Sequence, residues 1–260
     1  MRKPMIAGNW KMNKNRDEAL QFIYNVNLEV PSKEFVDTVI ASQDPVLRDL
    51  VKRQGDNLRI AAQNMHEKTE GAFTGETSAD LLENLGVTYV IIGHSERRAY
   101  YNETDASVNK KLHQAFRYGL TPILCVGENL AECEAGETET VITRQVMAVI
   151  DQVGIDHFFN AVIAYEPGWA NGTGQIASSE HVQYVHGLIR RLLRDRDPYI
   201  ARELQLIYGG SVNPTNAIAL FQQPDVNGAL VGGASLDARA FIAICDALEQ
   251  AHRHALAQGA

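Results

Sequence analysis

Short apolar runs punctuate this chain at residues 5–7, 36–41, 58–62, 89–92, 120–126, 161–165, 205–208 and 228–231. Each is rich in Val, Ile or Ala and lacks strict alternation of apolar and polar positions. That is how strands buried on both faces read. Between the runs lie stripes with the helical repeat. Leu20, Ile23 and Tyr24 form one. Val108, Leu112, Ala115 and Phe116 form a second, opened by the cap candidate Thr104 and stopped at Gly119. Val182, Val185, Ile189, Leu192 and Leu193 follow Ser178 and Ser179, and Phe241, Ile244, Cys245 and Leu248 form the last. The spacings follow the 3.6-residue repeat with ordinary start and stop signals.

Strands alternating with helices predict a parallel sheet in an α/β fold. Eight strand candidates in 260 residues fit a (β/α)8 TIM barrel, whose usual size is about 250 residues. A doubly wound open sheet shares the alternation and stays open as an alternative. No Pro/Gly/Ser-rich linker, low-complexity tract or charge block interrupts the chain, so a single barrel domain over residues 1–260 is expected.

Composition narrows the partners. Apolar residues make up 45% and charged residues 22%, enough for a sizeable core and against bulk disorder. With 32 acidic and 24 basic residues the net charge is −8, which disfavours nucleic acid and anionic membranes as partners. An anionic ligand must therefore be attracted locally. Cys125, Cys133 and Cys245 form no CxxC pattern and leave one unpaired, which argues against a disulfide scaffold or a cysteine zinc site. No signal-peptide-like segment or membrane-length apolar run occurs, so a cytoplasmic protein is expected.

In a βα barrel chemistry gathers where strands end. After the first run come Asn9, Trp10 and Lys11; after the fourth, Gly93-His94-Ser95-Glu96-Arg97-Arg98. After the sixth comes Glu166-Pro167-Gly168-Trp169-Ala170-Asn171-Gly172-Thr173-Gly174, after the seventh Gly209-Gly210-Ser211, and after the eighth Gly232-Gly233. A cation, an imidazole and a carboxylate converge on one mouth with glycine loops whose bare amides suit a phosphate. Singly, each has a plainer reading: solvated lysine, structural histidine, loop carboxylate, tight turn. Gly172 to Ala177 also matches the G-x-G-x-x-A dinucleotide fingerprint, but six residues separate it from its strand, and a moving lid suits it better. Together these groups suit proton abstraction beside a carbonyl. The carboxylate takes the proton, the imidazole and lysine stabilise the enediolate, and the phosphate grip supplies remote binding. This chemistry needs no cofactor and no metal.

The motifs resemble those of the triosephosphate isomerase family. The resemblance rests on Ala7-Gly8-Asn9-Trp10-Lys11-Met12-Asn13, the Gly93–Arg98 segment, Ala164-Tyr165-Glu166-Pro167 with Trp169-Ala170 and Gly172-Thr173-Gly174, Tyr208-Gly209-Gly210-Ser211-Val212, and the segment from Gly228 to Ala234. It implies interconversion of two phosphorylated trioses, with Glu166 as base, His94 as a neutral electrophile and Lys11 beside Asn9 as the substrate cation. It implies phosphate-binding amides at Gly172, Ser211, Gly232 and Gly233, with Ser95 and Glu96 opening a supporting helix. It also implies a homodimer, with Gln63, Phe73 and Thr74 in the loop that reaches the partner copy. Two lid positions depart from the family pattern: Gly168 replaces a bulky aliphatic residue and Asn171 an isoleucine. Glycine predicts a hinge that is costlier to order and asparagine a wetter base, so valine and isoleucine there are expected to raise kcat/KM. The departures leave a second reading, a sugar-phosphate-binding barrel with impaired catalysis. A nicotinamide-dependent oxidoreductase is a third.

Overall fold

The structure, a computed structural model, describes residues 2–170 and 176–257. Eight parallel strands close into a barrel in the order β1 through β8. They are β1 (Met5–Asn9), β2 (Asp37–Ser42), β3 (Leu58–Ala62), β4 (Tyr89–Ile92), β5 (Thr121–Val126), β6 (Val162–Tyr165), β7 (Gln205–Tyr208) and β8 (Gly228–Val231). Closure is made by β1 against β8, where Met5 pairs with Gly228 and Gly8 with Val231. The open-sheet alternative is thereby excluded. Each apolar run of the sequence matches its strand to within one residue at either end, except that β1 continues two residues further, to Asn9.

The helices outside are α1 (Arg16–Val26), α2 (Leu47–Val51), α3 (Ala79–Leu85), α4 (Ser95–Tyr100), α5 (Asp105–Arg117) and α6 (Leu130–Glu134). They continue with α7 (Thr138–Val153), α8 (Ser179–Arg194), α9 (Pro198–Glu203), α10 (Ala217–Phe221) and α11 (Ala238–Ala257). Thr104 caps α5 by accepting from the Ser107 amide, and Ser178 caps α8 by accepting from the His181 amide, as their positions predict.

Two apolar cores explain why the strands lack alternation. Met5, Ala7, Val39, Ala41, Ala61, Ile91, Ile123, Cys125, Val162, Ala164, Ile207 and Leu230 fill the barrel interior. Their strand neighbours, among them Ile6, Ile40, Ile60, Ile163 and Leu206, face outward and pack under the helices. Successive residues of a strand point to opposite faces, and here both faces are dry. One helical stripe is corrected. Tyr24 is 72% exposed, and α1 buries Ala19, Phe22, Ile23 and Val26 instead. Phe22 decides the rotation by packing edge-on against Trp10, with ring centroids 5.0 Å apart, and against Phe241.

Candidate active site

The interior parity runs past the strand ends and supplies the site. Residues 5 and 7 of β1 point inward, and so does Asn9; after 162 and 164 of β6 comes Glu166. These polar residues sit where the barrel opens, on a packed apolar floor. A cavity of about 380 Å³ at that mouth is lined by Asn9, Lys11, His94, Glu166, Ser211, Gly232 and Gly233. The residues read from five separate strand ends therefore meet in one place.

Glu166 is almost fully buried and its carboxylate is held from several sides. His94 Nε2 lies 2.9 Å from Oε1, and the Ser95 amide donates to Oε2 at 2.8 Å. The Cys125 thiol lies against the same carboxylate from inside the barrel. Burial favours the protonated acid, but His94, the Ser95 amide and Cys125 outweigh it and hold the carboxyl below its usual range. For His94, burial opposes a charged ring, while the Glu166 carboxylate and its hydrogen bond draw the affinity for a proton upward. The ring's Nδ1 accepts the Glu96 amide at 3.2 Å, so its single proton sits on Nε2, aimed at Glu166. His94 is itself the N-cap of α4, and the orphan amides of that first turn favour an unprotonated nitrogen.

Lys11 has a left-handed backbone, φ 53°. Such a conformation is costly for a residue with a Cβ and persists only when its surroundings enforce it. Asn9 Oδ1 accepts the Lys11 amide at 3.0 Å, and Gln63 Nε2 donates to the Lys11 carbonyl at 2.8 Å. The ammonium group pairs with Glu96 at 2.5 Å. On the adjoining rim, just past β8, Gly233 opens a single 3-10 turn, Gly233–Leu236, whose first amides have no partner within the turn and border the cavity. Ser235 secures this turn through Oγ to the Gly232 carbonyl, 2.7 Å.

A sequence model of the triosephosphate isomerase family matches residues 4–248. The chain belongs to the triosephosphate isomerase family. The triosephosphate isomerase of Alcanivorax borkumensis is 48% identical over 248 residues, 95% of this chain and 99% of that protein. That of Vibrio parahaemolyticus is 45% identical over 252 residues, covering 95% and 98%. That of Alkaliphilus oremlandii is 48% identical over 246 residues, covering 94% and 99%.

Within this family frame, several sequence-derived residues keep their places and others change meaning. Asn9, Lys11, His94, Ser95, Glu96, Glu166, Ser211, Gly232 and Gly233 border the mouth. Gly172 and Asn171 lie outside the described residues. Gln63 is turned inward against Lys11, whereas Phe73, 42% exposed, and Thr74 stand outside. Gly209 serves the base: a Cβ there would lie 2.6 Å from Glu166 Cγ. The loosened-hinge reading of Gly168 is corrected. Its amide donates to the Glu128 carbonyl at 2.8 Å, and an added Cβ would come within 2.8 Å of the same oxygen. Glycine stands there because two backbones touch.

Glu128 was not singled out by the sequence. It is fully buried, and its Oε1 accepts from the Tyr165 hydroxyl at 3.0 Å and from the Trp169 indole at 2.9 Å. Its position, two residues beyond β5, is the signal that would have found it. Among the described residues no group of three or more His, Cys, Asp or Glu is arranged to hold a metal ion, and no helix is long and apolar enough to cross a membrane.

Proposed function

We propose that this chain interconverts dihydroxyacetone phosphate and D-glyceraldehyde 3-phosphate by proton transfer through an enediolate. One observation carries the reading: Glu166 and His94 face each other 2.9 Å apart in a cavity that also holds Lys11 and the glycine amides of the eighth loop. The substrate phosphate sits against Ser211, Gly232 and Gly233, and the triose extends toward Lys11 and His94. Glu166 leaves the Ser95 amide, takes the carbon-bound proton and returns it to the neighbouring carbon. As it leaves its donors, the interactions that hold its pKa down are lost and its basicity rises. The His94 Nε2–H turns from Glu166 to the substrate oxygen, and the Lys11 ammonium adds to the stabilisation of the developing negative charge. A barrel that binds without turnover is disfavoured by the intact trio of Lys11, His94 and Glu166 at one mouth.

We propose self-association as well. The loops after β1, β2 and β3 are tied together, Gln63 to Lys11, Gln43 to Asn13 and Thr77 to Asp44. Met12, 86% exposed, and Phe73 protrude from these loops. Large apolar side chains exposed on loops braced in this way fit a contact with a second copy of the chain.

A coupled assay with glyceraldehyde 3-phosphate, run beside an NAD titration, tests the reading. Turnover without added cofactor supports it. Phosphate-ligand binding without turnover, or dependence on NAD, overturns it.

A further inference from the structure

The Gly93–Arg98 segment ends on a residue that the reaction above leaves unused. Ser95 and Glu96 open α4, and their amides hold Glu166 and the His94 ring. Yet α4 is six residues long and none of them is buried. A helix that short is not stable on its own backbone hydrogen bonds, and this one sends no apolar face into the core to supply the rest. Its position depends on side-chain ties. Two of these, Arg97 to Glu103 and Lys11 to Glu96, join side chain to side chain. Arg98 grips backbone.

β4 and β5 pair as far as Ile92 and Leu124. The Arg98 guanidinium takes up the next two carbonyls: Nε donates to Gly93 at 2.9 Å, and Nη2 reaches Cys125 at 3.5 Å. Nη1 donates to Asp105 at the start of α5, 2.6 Å away. The side chain is 19% exposed. Gly93 leaves β4 with a left-handed backbone, φ 79°, and immediately precedes His94. Cys125 sets its thiol against Glu166. The Ser95 amide, the His94 ring and the Cys125 thiol, which together surround the Glu166 carboxylate, thus stand on backbone that one guanidinium spans.

We propose that Arg98 is a positioning residue for Glu166 and His94. This rests on the isomerase reading. The planar fork fixes the start of α4 against the ends of β4 and β5, and with it the Ser95 and Glu96 amides. A lysine ammonium presents its donors from a single nitrogen and cannot span Gly93, Cys125 and Asp105 together. The phosphate grip lies on the loops after β7 and β8 and does not depend on this fork. Loss of Arg98 therefore acts on the chemical step and leaves phosphate binding in place.

The test is steady-state kinetics on Arg98→Lys and Arg98→Ala, with inorganic phosphate as a competitive inhibitor. Misplacing reactive groups by about 1 Å costs about 10²-fold, so Arg98→Lys should lower kcat by about 10–10²-fold while the phosphate inhibition constant moves by less than about twofold. Arg98→Ala should lose more. The space it vacates opens onto a cavity of about 500 Å³ that Arg98 lines together with Ser95 and Glu166. Added guanidinium at a non-denaturing concentration should therefore restore kcat several-fold, and ammonium at the same ionic strength should not. Wild-type kcat in Arg98→Lys overturns the proposal. So does a loss of phosphate affinity in proportion to kcat, which marks a general loosening of the fold. Equal recovery of Arg98→Ala with ammonium also overturns it, since charge alone would then suffice. Absence of wild-type turnover instead removes the isomerase reading itself.

Discussion

Glu166 rests on two hydrogen-bond donors and a thiol, and each lowers its proton affinity in the arrangement seen here. Glu166→Gln keeps the shape and the contact with the Ser95 amide while removing the proton acceptor. General-base catalysis contributes about 10²–10⁴-fold, so steady-state kinetics should show kcat lower by at least that factor, with phosphate-ligand binding retained in a titration. Near-wild-type kcat would place the base elsewhere. Gly168 shows how geometry reverses a reading by residue type. Compared with the aliphatic residue usual in the family, glycine reads as a loose hinge, yet its missing Cβ is what lets its backbone meet Glu128 at 2.8 Å. Gly168→Val should therefore lower stability by about 1–3 kcal/mol, the usual range for overpacking, and reduce kcat/KM. Urea unfolding and kinetics on the same preparation check both. A gain in kcat/KM would restore the hinge reading.

At the scale of elements, α1 depends on a reciprocal cap. Asn15 accepts from the amides of Asp17 and Glu18, and the Glu18 carboxylate returns to the Asn15 amide at 2.8 Å. Asn15→Ala should cost about 1 kcal/mol and lower Tm by about 2–4 °C for a protein of this size. Calorimetry showing no change would mean that packing of Phe22 alone holds the helix. The stripe Leu20-Ile23-Tyr24 and the stripe Ala19-Phe22-Ile23-Val26 both have helical spacing, and only packing on Trp10 and Phe241 chooses between them. α7 was not anticipated from the sequence. Its buried face of Val141, Ile142, Val146, Val149, Ile150 and Val153 has helical spacing, but its β-branched residues weaken the helical signal.

For the whole molecule, Thr74→Arg places a charge beside the exposed Phe73 of the third loop. A charge buried unpaired in an interface costs several kcal/mol, so light scattering should report a shift toward monomer with activity falling in parallel. A fully active dimer would remove this loop from the proposed contact. Acid sensitivity has a separate source. His186 is fully buried, its Nδ1–H bonded to the Asp225 carbonyl at 3.0 Å, and burial depresses its pKa from 6.5 to about 4. The unfolded chain therefore binds a proton that the folded one refuses. This contribution to stability is complete above pH 6.5 and is lost as pH falls toward 4, by on the order of 3 kcal/mol. His186→Asn keeps a donor for Asp225 without titrating, so its urea-unfolding free energy should fall less steeply over that window. Parallel slopes for the two proteins would discount His186.

The sequence by itself determined eight doubly buried strands alternating with helices and the level at which their chemistry-bearing ends lie; closure into a barrel rather than an open sheet was decided by the pairing of β1 with β8. Doubly buried strands must be continuous apolar runs, and eight of them alternating with helices leave few architectures. The first chemistry-bearing residue beyond a run then falls at the open end, which is why Asn9, Lys11, His94 and Glu166 stood out together. What lies between those residues was decided only in three dimensions. Resting Glu166 on the Ser95 amide, turning Gln63 onto the strained backbone of Lys11, and joining His181 through Tyr165 to Glu128 all link positions far apart in the chain. No local propensity encodes such pairs. They exist because barrel closure brings the strand ends to one rim, and close packing there sets which side chains touch.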